Sequence, residues 1–341
     1  SSSICTGDGS ALVFKEGLPL QDMEFVQFHP TGISGCGFLI TEAARGEGAY
    51  LLNSDGNRFM KQYAPKMMEL ASRDVTARAM ASEIHNGRGC GENKDCLYLD
   101  LRHLSDDILT NKIPGVVELV KNFARKNSQE IDVKKDLIPV APSAHYTMGG
   151  VPTNLNCMVM DGKKEISGMM AIGESSCVSV HGANRLGCNS LLDLIVFGDL
   201  AGKNAADKMQ PIADLKAEAL AQIKIDKLHQ TLHKPNSSSH INIFALKDRL
   251  QEMNEKNLGV FRNEDLLMDH LQSLQEITEL FQAISIQNKT LLWNDELISY
   301  LELENLLLNS LASAFAAFNR KESRGAHYRN DFSKRDDEAF L

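Results

Sequence analysis

Apolar and polar positions change period several times along the chain. MEFVQF (Met23–Phe28), GAYLLN (Gly48–Asn53) and CLYLDL (Cys96–Leu101) read as half-buried strands. The first runs into HPTG, whose proline and glycine read as a strand breaker. LASRDVTARAMASEIHNG (Leu70–Gly87) has helical spacing, with Asp74 in its first turn and a glycine near its end. A TGDG turn (Thr6–Gly9) precedes a short helix ending near Gly17–Pro19. Leu137–Asn154 returns to strand and turn, and GMMAIGE (Gly168–Glu174) reads as a short apolar strand. A long helix is expected from Ser190 to about Met209, with Asn189 and Ser190 as capping residue types. Beyond Pro211 the pattern is helical. Leu297, Leu301, Leu308, Leu311, Phe315 and Phe318 recur at three and four spacing and are read as the core stripe of antiparallel helices. HKPNSSSHIN (His233–Asn242) reads as a linker or turn.

Length adds that 341 residues exceed what one core usually supports, about 250–300, so several domains are expected. A net charge of −9 without a Lys/Arg cluster argues against nucleic acid as a partner. No run of about 18 apolar residues is present, because LLDLIVFGDLAG carries Asp193 and Asp199. A membrane role would therefore run through a partner. Seven scattered cysteines form no CxxC pair, which suggests neither zinc nor an iron–sulfur cluster and fits reduced thiols. SSSICTGDG has no initiator Met and no signal pattern, and the chain stops just after RDDEAFL; an incomplete chain is expected.

The densest chemistry lies in HGANRLGCNSLLDLIVFGDLAG (His181–Gly202). Arg185 offers a planar fork suited to a carboxylate, and the helix start that follows offers a positive dipole end. Four other elements place similar residues beside glycine turns: QFHPTG with His29, ITEAARGEG with Thr41, Glu42 and Arg45, LASRD with Arg73, and AHYTMGG with His145. Each alone has a plain structural explanation. His29 could be a satisfied core histidine, Glu42 and Arg45 a surface i,i+3 pair, Arg73 the partner of Asp74 or a neighbouring carboxylate, and His145 strand packing. Together the five elements weigh against that explanation.

In this order, QFHPTG, TE-x-x-RGEG, RD-x-x-x-R, HYTMGG, AIGE and HGANRLG-x-NSLLD, with the tail ESRGAHYRNDFSKRDDEAFL from Glu322, the chain resembles the flavoprotein subunit of succinate dehydrogenases and fumarate reductases. The resemblance runs through almost the whole chain. It implies a multi-domain fold of α/β plus α+β type. Residues 1–24 would be a remnant of a Rossmann-like FAD-binding domain, 25–136 an inserted capping domain, 137–209 the return of the FAD-binding domain and 210–341 a C-terminal helical domain. It implies FAD as cofactor and interconversion of succinate and fumarate by hydride transfer to or from flavin N5. His29, Thr41, His145 and Arg185 would hold the carboxylates of a C4 dicarboxylate, and Arg73 would move the proton with Glu42 and Arg45 as its relay. An arginine acid is unusual, since guanidinium pKa values exceed about 12, so the Glu–Arg chain must return the proton. Asp8, Glu174, Ser190 and Leu191 would face the cofactor; Cys188 stands where the family more often has a small glycine.

The same resemblance implies an iron–sulfur subunit, a membrane anchor subunit and a quinone downstream. The location would be the cytoplasmic face of a bacterial inner membrane, or the mitochondrial matrix side. L-aspartate oxidase shares most of the middle motifs and is the second reading; the RDDEAFL tail favours the respiratory subunits. A non-catalytic assembly module is a third, opposed by the intact set His29, Glu42, Arg45, Arg73, His145 and Arg185. No GxGxxG occurs, so the usual turn for a pyrophosphate is not in these residues, nor is the family's flavin-linking histidine. This chain alone is expected to bind FAD weakly or not at all.

Overall fold

A computed structural model describes residues 5–126, 129–208, 215–235 and 241–340. In chain order the elements begin with α1 (Asp8–Lys15), β1 (Val26–Ile33), α2 (Ala43–Gly46), β2 (Tyr50–Leu52), α3 (Met60–Tyr63), α4 (Arg73–Glu83) and β3 (Leu97–Asp100). There follow α5 (Pro114–Phe123), β4 (Arg125–Lys126), β5 (Gln129–Glu130), β6 (Ile138–Thr147), β7 (Val151–Pro152), β8 (Met158–Asp161), β9 (Lys164–Met170) and β10 (Ser176–Cys177). Among the described residues the helices α6 (Asn189–Lys208), α7 (Leu215–Leu232), α8 (Ile243–Asn257), α9 (Glu264–Ala283) and α10 (Asp295–Asn319) come next.

The first body is a four-stranded antiparallel sheet in the order β1-β6-β3-β2. Leu51, Leu97, Leu99, Ile138 and Val140 lie on its core side, with Phe59, Met60 and Met80 packed over them. Alternation therefore finds β2 and β3, whereas the strand expected over Met23–Phe28 begins only at Val26, with Met23 and Glu24 in a turn. The HPTG stretch, however, does not break β1, which continues through Pro30 to Ile33. The register shifts between His29 and Gly32 against β6, and a proline without an N–H is accommodated at such an irregularity.

After β6 the chain returns through small sheets, β8 with β9 and a parallel β7–β10 pair. Gly150 sits at φ 155, and a Cβ there would lie 2.6 Å from the Ser175 carbonyl oxygen, so the close crossing of β7 past β10 needs glycine. The expected strand over Gly168–Glu174 is displaced: pairing with β8 runs it from Lys164 to Met170, and Gly173–Ser175 forms a single 3₁₀ turn. Helix α6 starts at Asn189, directly after Cys188 at φ 66, so Asn189 and Ser190 lie in its first turn rather than capping it.

Helices α8, α9 and α10 share one core of Leu246, Leu250, Leu274, Ile277, Phe281, Leu303 and Leu307. Each opens on an asparagine whose side chain accepts backbone N–H groups: Asn242 from Phe244, Asn263 from Leu266 and Asn294 from Leu297. The stripe expected to be core in α10 is corrected. Leu297 is buried, but Leu301, Leu311 and Phe315 are exposed, the last at 62%. The buried face carries Leu303, Leu307, Ser310, Ala314 and Ala317 instead. Apolar residues occur on more than one face of α10, so several stripes share the helical period, and packing against α8 and α9 decides which one is buried. Of the expected linker, 236–240 lie outside the described residues, as do Met209 and Pro211.

Candidate active site

Strand β1 brings Gln27 and His29 to one face, since residues two apart in a strand point the same way, and both are buried. Strand β6 lies beside it and carries His145, whose ring meets His29 edge to face at 5.2 Å between centroids. Helix α4 opens on Arg73, aimed at the same place. Its Nε donates to Glu42 Oε2 at 3.1 Å and its Nη1 to Gln27 Oε1 at 3.2 Å. Asp74, the sequence-neighbour partner considered for Arg73, pairs with Arg78 instead.

Glu42 precedes the short helix α2, which places Arg45 behind it with Nη2 3.9 Å from the same carboxylate oxygen. The Arg45 side chain has no exposed surface, and its Nε makes no hydrogen bond; Nη1 donates to the Glu69 carbonyl. Arg185 enters from the loop before α6. It lies over the Tyr146 ring at 4.1 Å, donates from Nη1 to Ser190 Oγ at 3.0 Å, and has a buried Nε without a hydrogen-bond partner. The loop passes close to this pair: a Cβ on Gly187 would lie in ordinary contact with Glu42 Oε2 at 3.5 Å and Arg73 Nη2 at 3.7 Å.

Electrostatics follow from this crowding. Burial, then the neighbouring His145 and arginines, pushes His29 down to about 2; burial, then Arg73 and Arg185, pushes His145 down to about 3. Both imidazoles are neutral near pH 7. His29 Nδ1 accepts from the Thr31 N–H at 3.2 Å, which leaves Nε2–H as a donor. Burial lowers the pKa of both Arg45 and Arg185. The cluster therefore holds three guanidinium groups and one carboxylate, Glu42, around two neutral histidines.

Seven expected residues take distinct places. His29, Glu42, Arg45, Arg73, His145 and Arg185 form one connected cluster. Thr41 sits at its exposed rim, with Oγ1 3.4 Å from the Ala43 N–H. Gln27 is the residue that motif reading missed, and it is the hub. It is fully buried, accepting from Arg73 and His145 at Oε1 and donating from Nε2 to the Arg185 carbonyl at 2.7 Å and Asn184 Oδ1 at 2.8 Å. Its signal was available, a polar residue two before His29 in an alternating strand.

The residues expected at the cofactor form a second group. Glu174 accepts the Thr147 N–H at 3.1 Å, and burial raises its pKa. Gly9, beside Asp8, approaches Ser175, and Gly173 packs against Leu194 of α6, so α1, the 173–175 turn and α6 adjoin. Asp8 itself takes hydrogen bonds from Thr6 Oγ1 and Asn305 Nδ2. Leu191 is 61% exposed on an apolar face with Leu192 and Ile195. An acceptor carboxylate beside an apolar shelf fits the hydroxylated, flat part of FAD. With no cation among Asp8, Glu174, Ser190 and Leu191, this group does not suit its phosphates. Among the described residues no set of three or more His, Cys, Asp or Glu could hold a metal, and no helix is long and apolar enough to cross a membrane.

Residues 1–191 match the FAD binding domain family, and residues 247–341 match the fumarate reductase flavoprotein C-terminal family. The succinate dehydrogenase flavoprotein subunit of Rickettsia bellii is 47% identical across 100% of this chain and 57% of its own length. The mitochondrial subunit of Oryza sativa is 45% identical, over 100% of this chain and 54% of its own. A structure of E. coli quinol fumarate reductase superposes with a TM-score of 0.91 at 37% identity, covering 100% of this chain and 59% of that one. The chain belongs to the FAD-dependent succinate dehydrogenase and fumarate reductase flavoprotein family. It spans a little over half the length of the curated relatives it matches.

Proposed function

We propose that this chain forms the substrate-holding part of an FAD-dependent subunit that interconverts succinate and fumarate. The observation that carries the reading is the charge count of the cluster: three guanidinium groups, one carboxylate, and buried donors on Arg45 and Arg185 without a hydrogen-bond partner. Such a site lacks about two negative charges, which a C4 dicarboxylate supplies. Arg185, His29, His145 and Thr41 hold and orient the two carboxylates, and neutral imidazoles donate without adding charge. Glu174, Ser190 and Leu191 would hold FAD, which when bound would supply the hydride chemistry. Arg73 gives or removes the proton on the adjacent carbon. Glu42, with 41% of its side chain exposed, connects Arg73 with solvent, and Arg45 behind it holds the carboxylate in place.

The domain division follows the same reading: 25–136 cap the substrate, 1–24 and 137–209 belong to the FAD-binding part, and 210–341 form the helical part. We assign electrons from the flavin to an iron–sulfur subunit and, through a membrane anchor subunit, a quinone. The location would be the inner face of a respiratory membrane, cytoplasmic in bacteria and on the matrix side in mitochondria.

The test uses the FAD-loaded subunit with succinate, fumarate and L-aspartate as separate substrates. Succinate oxidation or fumarate reduction, falling about 10²–10⁴-fold in Arg73→Gln, is expected. Near-normal turnover in that variant, or aspartate as the better reductant, overturns the assignment.

A further inference from the structure

The turn Arg324–His327 touches the site from behind. Arg324 and His327 exchange backbone hydrogen bonds of 2.8 and 3.0 Å, with Gly325 at φ 54. The Ala326 N–H donates to the Ala183 carbonyl at 2.8 Å, in the loop that carries Asn184 and Arg185. The Gly325 carbonyl accepts from Arg78 Nη1 at 2.7 Å, on α4 and five residues beyond Arg73. The same guanidinium donates from Nη2 to Asp74 Oδ2 at 2.9 Å. Asp74 Oδ1 accepts from Asn184 Nδ2 at 2.9 Å, and Asn184 Oδ1 accepts from Gln27. The path closes on itself through Ala183, Ala326, Gly325, Arg78, Asp74 and Asn184.

The turn is itself held firmly by the helical part. Arg262 Nη1 reaches His327 Nδ1 at 2.9 Å, and Arg329 Nη1 donates to the Ala317 carbonyl at the end of α10. Arg320 and Arg324 share the buried Glu322 carboxylate. A Cβ on Gly325 would stand 2.4 Å from the Ala183 oxygen, so the turn fits the loop only as glycine. One rigid turn thus sets the spacing between α4, which begins with Arg73, and the loop that bears Arg185.

We propose that Arg78, clamped between Asp74 and the Arg324–His327 turn, is a positioning residue that holds Arg73 and Arg185 at the separation a C4 dicarboxylate requires. The inference rests on the succinate–fumarate reading for its ligand. Moving α4 away from the loop would break the Arg78–Gly325 and Asp74–Asn184 bonds together, so the ring acts as a latch.

Arg78→Ala and Gly325→Ala in the FAD-loaded subunit test this by amide hydrogen exchange, steady-state kinetics and melting. Expected in both variants is faster exchange in residues 73–83 and 181–187 with the bundle residues 264–283 unchanged. Alongside it, kcat/KM should fall about 100-fold, the effect of misplacing reacting groups by about 1 Å. Unchanged protection of either segment in Arg78→Ala overturns the latch. So does faster exchange that extends to 264–283, which would show a general structural role. Calorimetry of the unaltered subunit with succinate separates the two readings: no binding there defeats the dicarboxylate assignment, while the exchange result still decides the latch.

Discussion

Gln27 shows how much one side chain can organise. Its amide uses both hydrogens and accepts twice, joining β1, α4, β6 and the Arg185 loop. Gln27→Leu leaves several buried polar groups unpaired, and a loss of about 2–4 kcal/mol of stability is expected in urea unfolding. A cost below 0.5 kcal/mol would contradict the hub role. The two site histidines give a pH signature. Their folded pKa values, about 2 and about 3, lie below the unfolded value near 6.5, so below pH 6.5 the unfolded chain binds protons that the folded chain refuses. Stability should therefore fall as pH drops from about 6.5 towards 3, by at most about 1.4 kcal/mol per pH unit for each imidazole. Unfolding midpoints measured across pH 3–7 should show a shallower acid slope in His29→Gln. Motif reading placed His29 and His145 in the site. It could not show that they are neutral, because that depends on burial beside three arginines brought together from distant segments.

At the scale of elements, strands were legible where alternation was clean, as in Gly48–Asn53 and Cys96–Leu101, since one face of each meets a core. β1 and α10 were less legible for different reasons. In β1 a proline that ends most strands is tolerated at a register shift against β6. In α10 apolar residues occur on more than one face, so spacing alone does not choose between them, and contacts with α8 and α9 do. The choice is measurable. Leu303→Ala, at a fully buried position, should cost about 2–5 kcal/mol, whereas Phe315→Ser, at a position 62% exposed, should stay within about 0.5 kcal/mol. The reverse order would restore the stripe read from the sequence.

Over the whole molecule, a chain of net charge −9 concentrates positive charge at one interior point. A dianion should gain from that local field. We expect succinate or malonate to raise the melting temperature of the FAD-loaded subunit, and the shift to shrink between 20 mM and 500 mM salt. A monocarboxylate of similar size should have much less effect, and an equal shift from both would remove the two-carboxylate reading. The sequence by itself determined the local periods of most elements and the motif set that names the family. These are properties of neighbouring residues, and short-range backbone and side-chain preferences express them directly. Only the tertiary structure decided that Arg73 pairs with Glu42 rather than Asp74, that Gln27 links four segments, and that the Arg324–His327 turn reaches Arg78. Those contacts join residues from 31 to 247 positions apart, and their geometry depends on how the sheet, the loop and the helical part pack together.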